Sequence, residues 1–157
     1  MAAILITGLS GVGKSSVLAG LKAQGYNAVD TDYGYTIKLT EDGEDEVIWD
    51  RTKISTLLHK HQDSHLFISG CYSNQGEFYH CFDQVVLLTA ELEVMLERIE
   101  HRTSHDYGKS PRETEEIIDS YKNILPLLRK GATITIDTTE ARISEVCERL
   151  KVLVESC

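Results

Sequence analysis

The chain is predicted to fold as an α/β protein, a parallel sheet with helices on both faces, and two observations carry that prediction. Apolar runs suited to buried strands alternate with helix-spaced apolar patterns along the 157 residues. Behind the first run lies Gly8-Leu9-Ser10-Gly11-Val12-Gly13-Lys14-Ser15, a complete G-x-x-x-x-G-K-S loop that opens a helix. No internal repeat, low-complexity tract or linker interrupts the pattern, so residues 1–157 read as a single domain.

The elements follow in order. Residues 3–7, Ala-Ile-Leu-Ile-Thr, suit a buried strand, and 16–22 suit a helix that buries Val17, Leu18 and Leu21. Residues 26–30 form the second strand. The acidic run 41–46 reads as a solvated loop feeding a helix over 46–61, with Val47, Ile54, Leu57 and Leu58 on one side. Strands follow at 66–70 and 84–89. A helix over 91–102 carries a stripe of Leu92, Met95, Leu96 and Ile99, with Thr89 as its N-cap. Ser110-Pro111-Arg112-Glu113 is a strong helix start, because serine caps, proline suits the first position and Glu113 closes a capping box. That helix buries Ile117, Tyr121, Ile124 and Leu128 and kinks or breaks at Pro126. A strand at 132–137 and a helix over 140–154 complete the chain.

Composition narrows the partners. Twenty-five acidic against 16 basic residues give a net charge of −9, which disfavours nucleic-acid backbones and anionic membranes. No apolar run is long enough for a signal or a bilayer span, so a cytoplasmic location is expected. Cys71, Cys81, Cys147 and Cys157 form no C-x-x-C pair and suit a reducing compartment. His59, His61 and His65 match no zinc spacing and read as solvated surface.

The glycine loop specifies chemistry. Amides of Gly8, Ser10, Gly11, Val12 and Gly13 can cradle phosphates, and the helix start at Lys14, Ser15 and Ser16 adds partial positive charge. Lys14 can reach the β- and γ-phosphates, and the Ser15 hydroxyl can ligate Mg²⁺. A nucleoside triphosphate is the expected ligand. Asp30-Thr31-Asp32 ends the second strand, where the carboxyl ends of a parallel sheet open onto the ligand crevice. Carboxylates at i and i+2 point the same way, one for Mg²⁺ and one to accept a substrate proton. Arg98 and Arg102 share a helical face and lead into a polar stretch with Lys109, a candidate lid at about 103–111. Tyr72, Ser73, Asn74 and Gln75 read as recognition of a polar acceptor or as the start of a short helix, with Ser73 or Asn74 capping it. Trp49 and Tyr33 suit either an acceptor wall or packing.

With these motifs in place, the chain resembles the small P-loop kinase superfamily of shikimate, gluconate and adenylate kinases. The match runs from the phosphate loop through D-x-D and R-x-x-x-R to Ile136-Asp137-Thr138-Thr139. The resemblance implies a three-layer α/β/α P-loop fold with a five-stranded parallel sheet in order 2-3-1-4-5. It also implies Mg²⁺ on Ser15 and Asp30, Asp32 as the base, and Arg98 against adenine. Arg102 and Lys109 would reach the transferring phosphate, and Asp137, Thr138 and Thr139 would lie near the base. Gly70, Tyr72 and Asn74 fall where shikimate kinases place a substrate-contacting glycine triplet, of which this chain keeps one glycine. Arg51 and Arg129 fall near their carboxylate-binding arginines and equally suit surface cations. The expected activity is ATP- and Mg²⁺-dependent phosphorylation of a hydroxyl on a polar metabolite, by a monomer or homodimer. A nucleoside or nucleotide kinase and a regulatory ATPase are the alternatives.

Overall fold

The computed structural model describes residues 1–103 and 107–156. Among these described residues seven strands and six α-helices form, beginning in the order β1 (Ala3–Thr7), α1 (Lys14–Ala23), β2 (Asn27–Asp30), β3 (Thr36–Glu41), β4 (Glu44–Trp49) and α2 (Arg51–Lys60). There follow β5 (Leu66–Ser69), a 3₁₀ segment (Gln75–Cys81), β6 (Gln84–Thr89), α3 (Leu92–His101), α4 (Pro111–Asn123), α5 (Leu125–Gly131), β7 (Ile134–Asp137) and α6 (Ile143–Glu155). The main sheet has the order β2-β5-β1-β6-β7, with every pairing parallel. Counted among the parallel strands alone, this is the predicted 2-3-1-4-5.

Period-two alternation in the strands builds the three layers. Ile4 and Ile6 pack with Val17 and Leu21 of α1, Met95 and Ile99 of α3 and Leu150 of α6. Leu5, between them, faces the opposite side with Trp49, Ile54, Leu57 and Phe78. The central strand is thus buried on both faces, as a parallel sheet requires.

The region between β2 and α2 departs from expectation. Residues 36–49 form an antiparallel hairpin, and α2 begins only at Arg51, capped by the Asp50 carboxylate on the amides of Thr52 and Lys53. The turn is Asp42-Gly43, with φ of 52° and 79°. Asp-Gly between alternating segments is a strong signal for a two-residue hairpin turn. The acidic loop is real at its tip, but its flanks are strand, and Val47 is exposed rather than on a helix core face.

One cap assignment also changes. Thr89 stays within β6, while the Glu91 amide ahead of α3 donates to the Thr139 hydroxyl at 2.9 Å. Ser110 caps α4 as predicted, accepting from the Glu113 amide at 3.2 Å. The break near Pro126 falls at Ile124, with the proline in the first turn of α5.

Gly70 follows β5, where a Cβ would lie 2.4 Å from Thr31 Oγ1 and 3.2 Å from Trp49 Nε1. Gly70→Ala is therefore expected to destabilise the fold by about 1–3 kcal/mol, the usual cost of overpacking. Urea unfolding checks this, and an unchanged midpoint would contradict the close approach.

Candidate functional site

The phosphate loop is shaped by contacts behind it. Gly11 has φ 87°, and a Cβ there would meet the Met95 carbonyl at 2.6 Å, so the loop lies directly on α3. Thr138, buried after β7, directs its hydroxyl to the carbonyls of Val12 at 2.8 Å and Thr89 at 3.0 Å. Arg98 donates to the Gly11 carbonyl at 3.2 Å and to the Thr138 carbonyl and hydroxyl at 2.5 and 3.1 Å. Arg98 thus staples the phosphate loop to the loop after β7. Asp137 accepts from the Thr139 amide at 2.9 Å, and that residue's hydrogen bonds hold its carboxyl below the usual carboxylate range.

Helix α1 starts at Lys14, so the Lys14, Ser15 and Ser16 amides belong to the first turn and lack intrahelical partners. They line a cavity of about 470 Å³ with Ser10, Gly11, Gly13, Asp32, Arg98, Arg102, Thr138 and the start of α6. The Lys14 ammonium folds back onto the carbonyls of Gly8 and, at 2.9 Å, Leu9. Desolvation lowers its pKa from 10.5, against the opposing pull of Cys71, Asp32 and Asp30. Arg102 donates from Nη2 to the Tyr107 carbonyl at 2.5 Å, while its buried Nε has no partner among the described residues. An orphaned guanidinium N–H beside a cradle of amides fits an anion such as a phosphate.

Across Lys14 lies a second cavity of about 630 Å³, lined in part by Gly8, Leu9, Ser10, Lys14, Asp32, Cys71 and Tyr72. Its far walls come from the 3₁₀ segment and from α4 and α5, through Gln75, Tyr79, Ile117, Ile124, Leu127 and Leu128. The two cavities meet at Ser10, Lys14 and Asp32.

The D-x-D segment is held by its middle residue. Thr31 is fully buried, donates to the Ser69 carbonyl at 2.7 Å and accepts from Trp49 Nε1 at 2.8 Å. Its anchoring turns the flanking carboxylates the other way, toward Lys14. Asp30 accepts from the Asp32 amide at 3.0 Å, and Asp32 accepts from the Tyr72 hydroxyl. Burial, together with the hydrogen bond to Asp32, pushes the Tyr72 phenol pKa far up, so Tyr72 remains a donor across the physiological range.

The oxygen donors here suit Mg²⁺. Ser15 offers a hydroxyl and Asp32 a carboxylate on the phosphate cavity, while Asp30, which accepts from the Asp32 amide, lines neither cavity. No group of three or more His, Cys, Asp and Glu side chains is preformed among the described residues. Mg²⁺ characteristically takes one or two protein oxygens and completes its shell with phosphates and water.

Several expected substrate residues lie elsewhere. Arg51 is exposed and makes a bidentate pair with Glu77 at 2.9 Å, outside both cavities. Arg129 is exposed in the last turn of α5, its charge felt at Asp137. Asn74 holds the N-cap position of the 3₁₀ segment as expected, but its side chain makes no capping bond and is spent on the Trp49 backbone, accepting and donating at 3.0 Å. Gly70 packs on Thr31, Trp49 is core, and Tyr33 is exposed. Lys109, within the expected lid, donates to the Arg102 carbonyl at 2.7 Å; residues 104–106 of that lid lie outside the described set, as does Cys157. Sequence reasoning missed Tyr79, Ile124, Leu127 and Leu128 as cavity walls.

Phosphate cradle, D-x-D and sheet order define a P-loop nucleotide-binding protein with the fold of the small P-loop kinases. The chain belongs to the AAA domain family, whose profile matches residues 4–119. It is similar to a shikimate kinase from Acinetobacter baumannii solved with shikimate, at 21% identity and TM-score 0.69, over 99% of this chain and 94% of that one. A gluconokinase from Sinorhizobium meliloti 1021 superposes at 22% identity and TM-score 0.58, over the same shares. A relative described as a nucleotide-binding protein, from Thermosipho africanus, is 27% identical over 94% of this chain. The chain spans about half of that relative's length, 52%. No helix among the described residues is long and apolar enough to cross a membrane.

Proposed function

We propose that this chain is an ATP- and Mg²⁺-dependent kinase that transfers the γ-phosphate to a hydroxyl of a small molecule in the cytoplasm. The observation that carries the reading is the junction of two cavities at Ser10, Lys14 and Asp32. One cavity suits a triphosphate and the other an acceptor, with a carboxylate and an ammonium where the reacting atoms would meet.

The chemistry follows from these groups. The loop amides and Lys14 hold the phosphates, with Lys14 exchanging its loop carbonyls for phosphate oxygens. Arg102, which lines the phosphate cavity, reaches the transferring group, with Lys109 nearby. Arg98, its edge spent on loop carbonyls, presents a planar face to the adenine beside Asp137, Thr138 and Thr139. Ser15 and Asp30 would hold Mg²⁺, which when bound neutralises phosphate charge. Asp32 orients the acceptor hydroxyl and accepts its proton as the oxygen attacks in line. No nucleic-acid or membrane partner enters this reading.

Tyr72 is a positioning residue that acts through Asp32. Loss of a hydrogen bond to a charged group costs about 1.5–3 kcal/mol, so Tyr72→Phe should lower kcat roughly ten- to a hundredfold. The KM for ATP should stay unchanged, whereas an equal rise in that KM would show a structural role instead.

The name of the Thermosipho relative favours a second reading, a nucleotide-binding ATPase module. Acceptor-dependent ADP release across a panel of hydroxylated metabolites and nucleosides tests the kinase. Hydrolysis that no acceptor accelerates would favour the module.

A further inference from the structure

The acceptor cavity differs in chemistry from one built for a sugar acid or a nucleotide. Among the described residues that line it, Lys14 is the one cation, and it is shared with the phosphate cavity. Asp32 contributes a negative charge at the same end. The far end is mainly hydrocarbon and phenol, from Tyr79, Ile117, Ile124, Leu127 and Leu128, with the neutral Gln75 and Ser120 as its polar groups. Three of the exposed large apolar side chains gather at this cavity: Leu127 at 61%, Ile124 at 40% and Tyr107 at 39%. Solvent-facing apolar groups clustered around a concave site mark a ligand surface more than a packing defect. No arginine is among its described lining residues; Arg51 and Arg129, the two that the resemblance assigned to a substrate carboxylate, are placed outside it, Arg51 paired with Glu77 and Arg129 on the surface of α5. An anionic acceptor would enter with its charge unpaired against apolar walls, beside a carboxylate of the same sign.

We infer that the acceptor is an uncharged alcohol with an apolar or aromatic body, which packs on the α4–α5 wall while its hydroxyl reaches Asp32. This rests on reading the cavity as the acceptor site of a kinase. The class covers neutral nucleosides and phenolic or alicyclic alcohols and excludes their phosphates and carboxylates.

The test titrates matched pairs into the protein saturated with a non-hydrolysable ATP analogue and Mg²⁺. The pairs are tyrosol against hydroxyphenylacetate, adenosine against adenosine monophosphate, and methyl shikimate against shikimate. At least one neutral member should bind roughly tenfold or more tightly than its anionic partner, a difference of about 1.4 kcal/mol. Leu127→Arg, at an exposed position, should narrow or reverse that preference. Equal or tighter binding of the anions, or no binding by any neutral member, would overturn the inference. The same pairs are then followed with ATP. Neutral binding without phosphate transfer would uphold the acceptor class and overturn the kinase reading instead.

Discussion

Lys14→Ala is expected to abolish triphosphate binding and turnover while leaving the ligand-free protein at least as stable as the parent. The ammonium is held away from solvent against the carbonyls of Gly8 and Leu9, and desolvation lowers its pKa from 10.5. Its charged form is therefore a burden on the ligand-free fold, offset in part by Asp32 and Asp30. The sign of the pH effect follows from proton binding. Below the lowered folded pKa, both folded and unfolded chains carry the proton and the full burden is present. Between that pKa and 10.5 the unfolded chain holds more protons, so stability rises with pH. The alanine variant should lack this rise. Bound phosphates reverse the balance by supplying counter-charge, so nucleotide affinity should fall as pH climbs through the same window. Thermal unfolding with and without ATP and Mg²⁺ checks both statements. A variant unfolded at ambient temperature, or one still stabilised by nucleotide, would contradict the role given to Lys14.

Asp32→Asn should separate binding from chemistry. The carboxylate lies where the two cavities join and is fixed by the Tyr72 hydroxyl. The amide keeps the shape but accepts a proton poorly, so kcat should fall about 10²- to 10⁴-fold, the usual worth of a positioned base. Affinity for ATP should change little, because loop amides and Lys14 carry the phosphates. Transfer at the parent rate would reject Asp32 as the base. Lost nucleotide binding would instead place Asp32 among the groups that hold Mg²⁺.

These two predictions rest on the part of the molecule most legible in the sequence. The glycine loop has a fixed length, and its lysine and serine must fall in the first turn of the following helix, so motif and structure agree residue by residue. Asp30 ends β2 as expected, but Asp32 lies in the turn that follows, where its amide donates to the Asp30 carboxylate. An extended spacing is therefore not what brings Asp32 to the cavities. The parallel core was legible because strands buried on both faces are continuous apolar runs, as at Ile4-Leu5-Ile6 and Leu66-Phe67-Ile68.

The hairpin over 36–49 was not recognised, because it buries only Ile48 and Trp49 and leaves Ile37, Leu39 and Val47 exposed among charged residues. The alternation at Ile37-Lys38-Leu39-Thr40 and the Asp42-Gly43 turn were the usable signals. The acceptor site was the least legible part. Its walls come from segments far apart in the chain, and hydrogen-bonding residues near the expected position were claimed by local structure. Asn74 braces Trp49 and Arg51 pairs with Glu77, competitors that only the folded neighbourhood reveals.

The most direct test of phosphoryl transfer follows the γ-phosphorus itself. ATP labelled at that position, incubated with Mg²⁺, the protein and the tightest-binding neutral alcohol, should yield label in an organic phosphate ester in step with ADP. Asp32→Asn should suppress both products together. If all the label instead emerges as inorganic phosphate, at a rate indifferent to the alcohol, the protein is an ATPase and the two cavities do not form one transfer site.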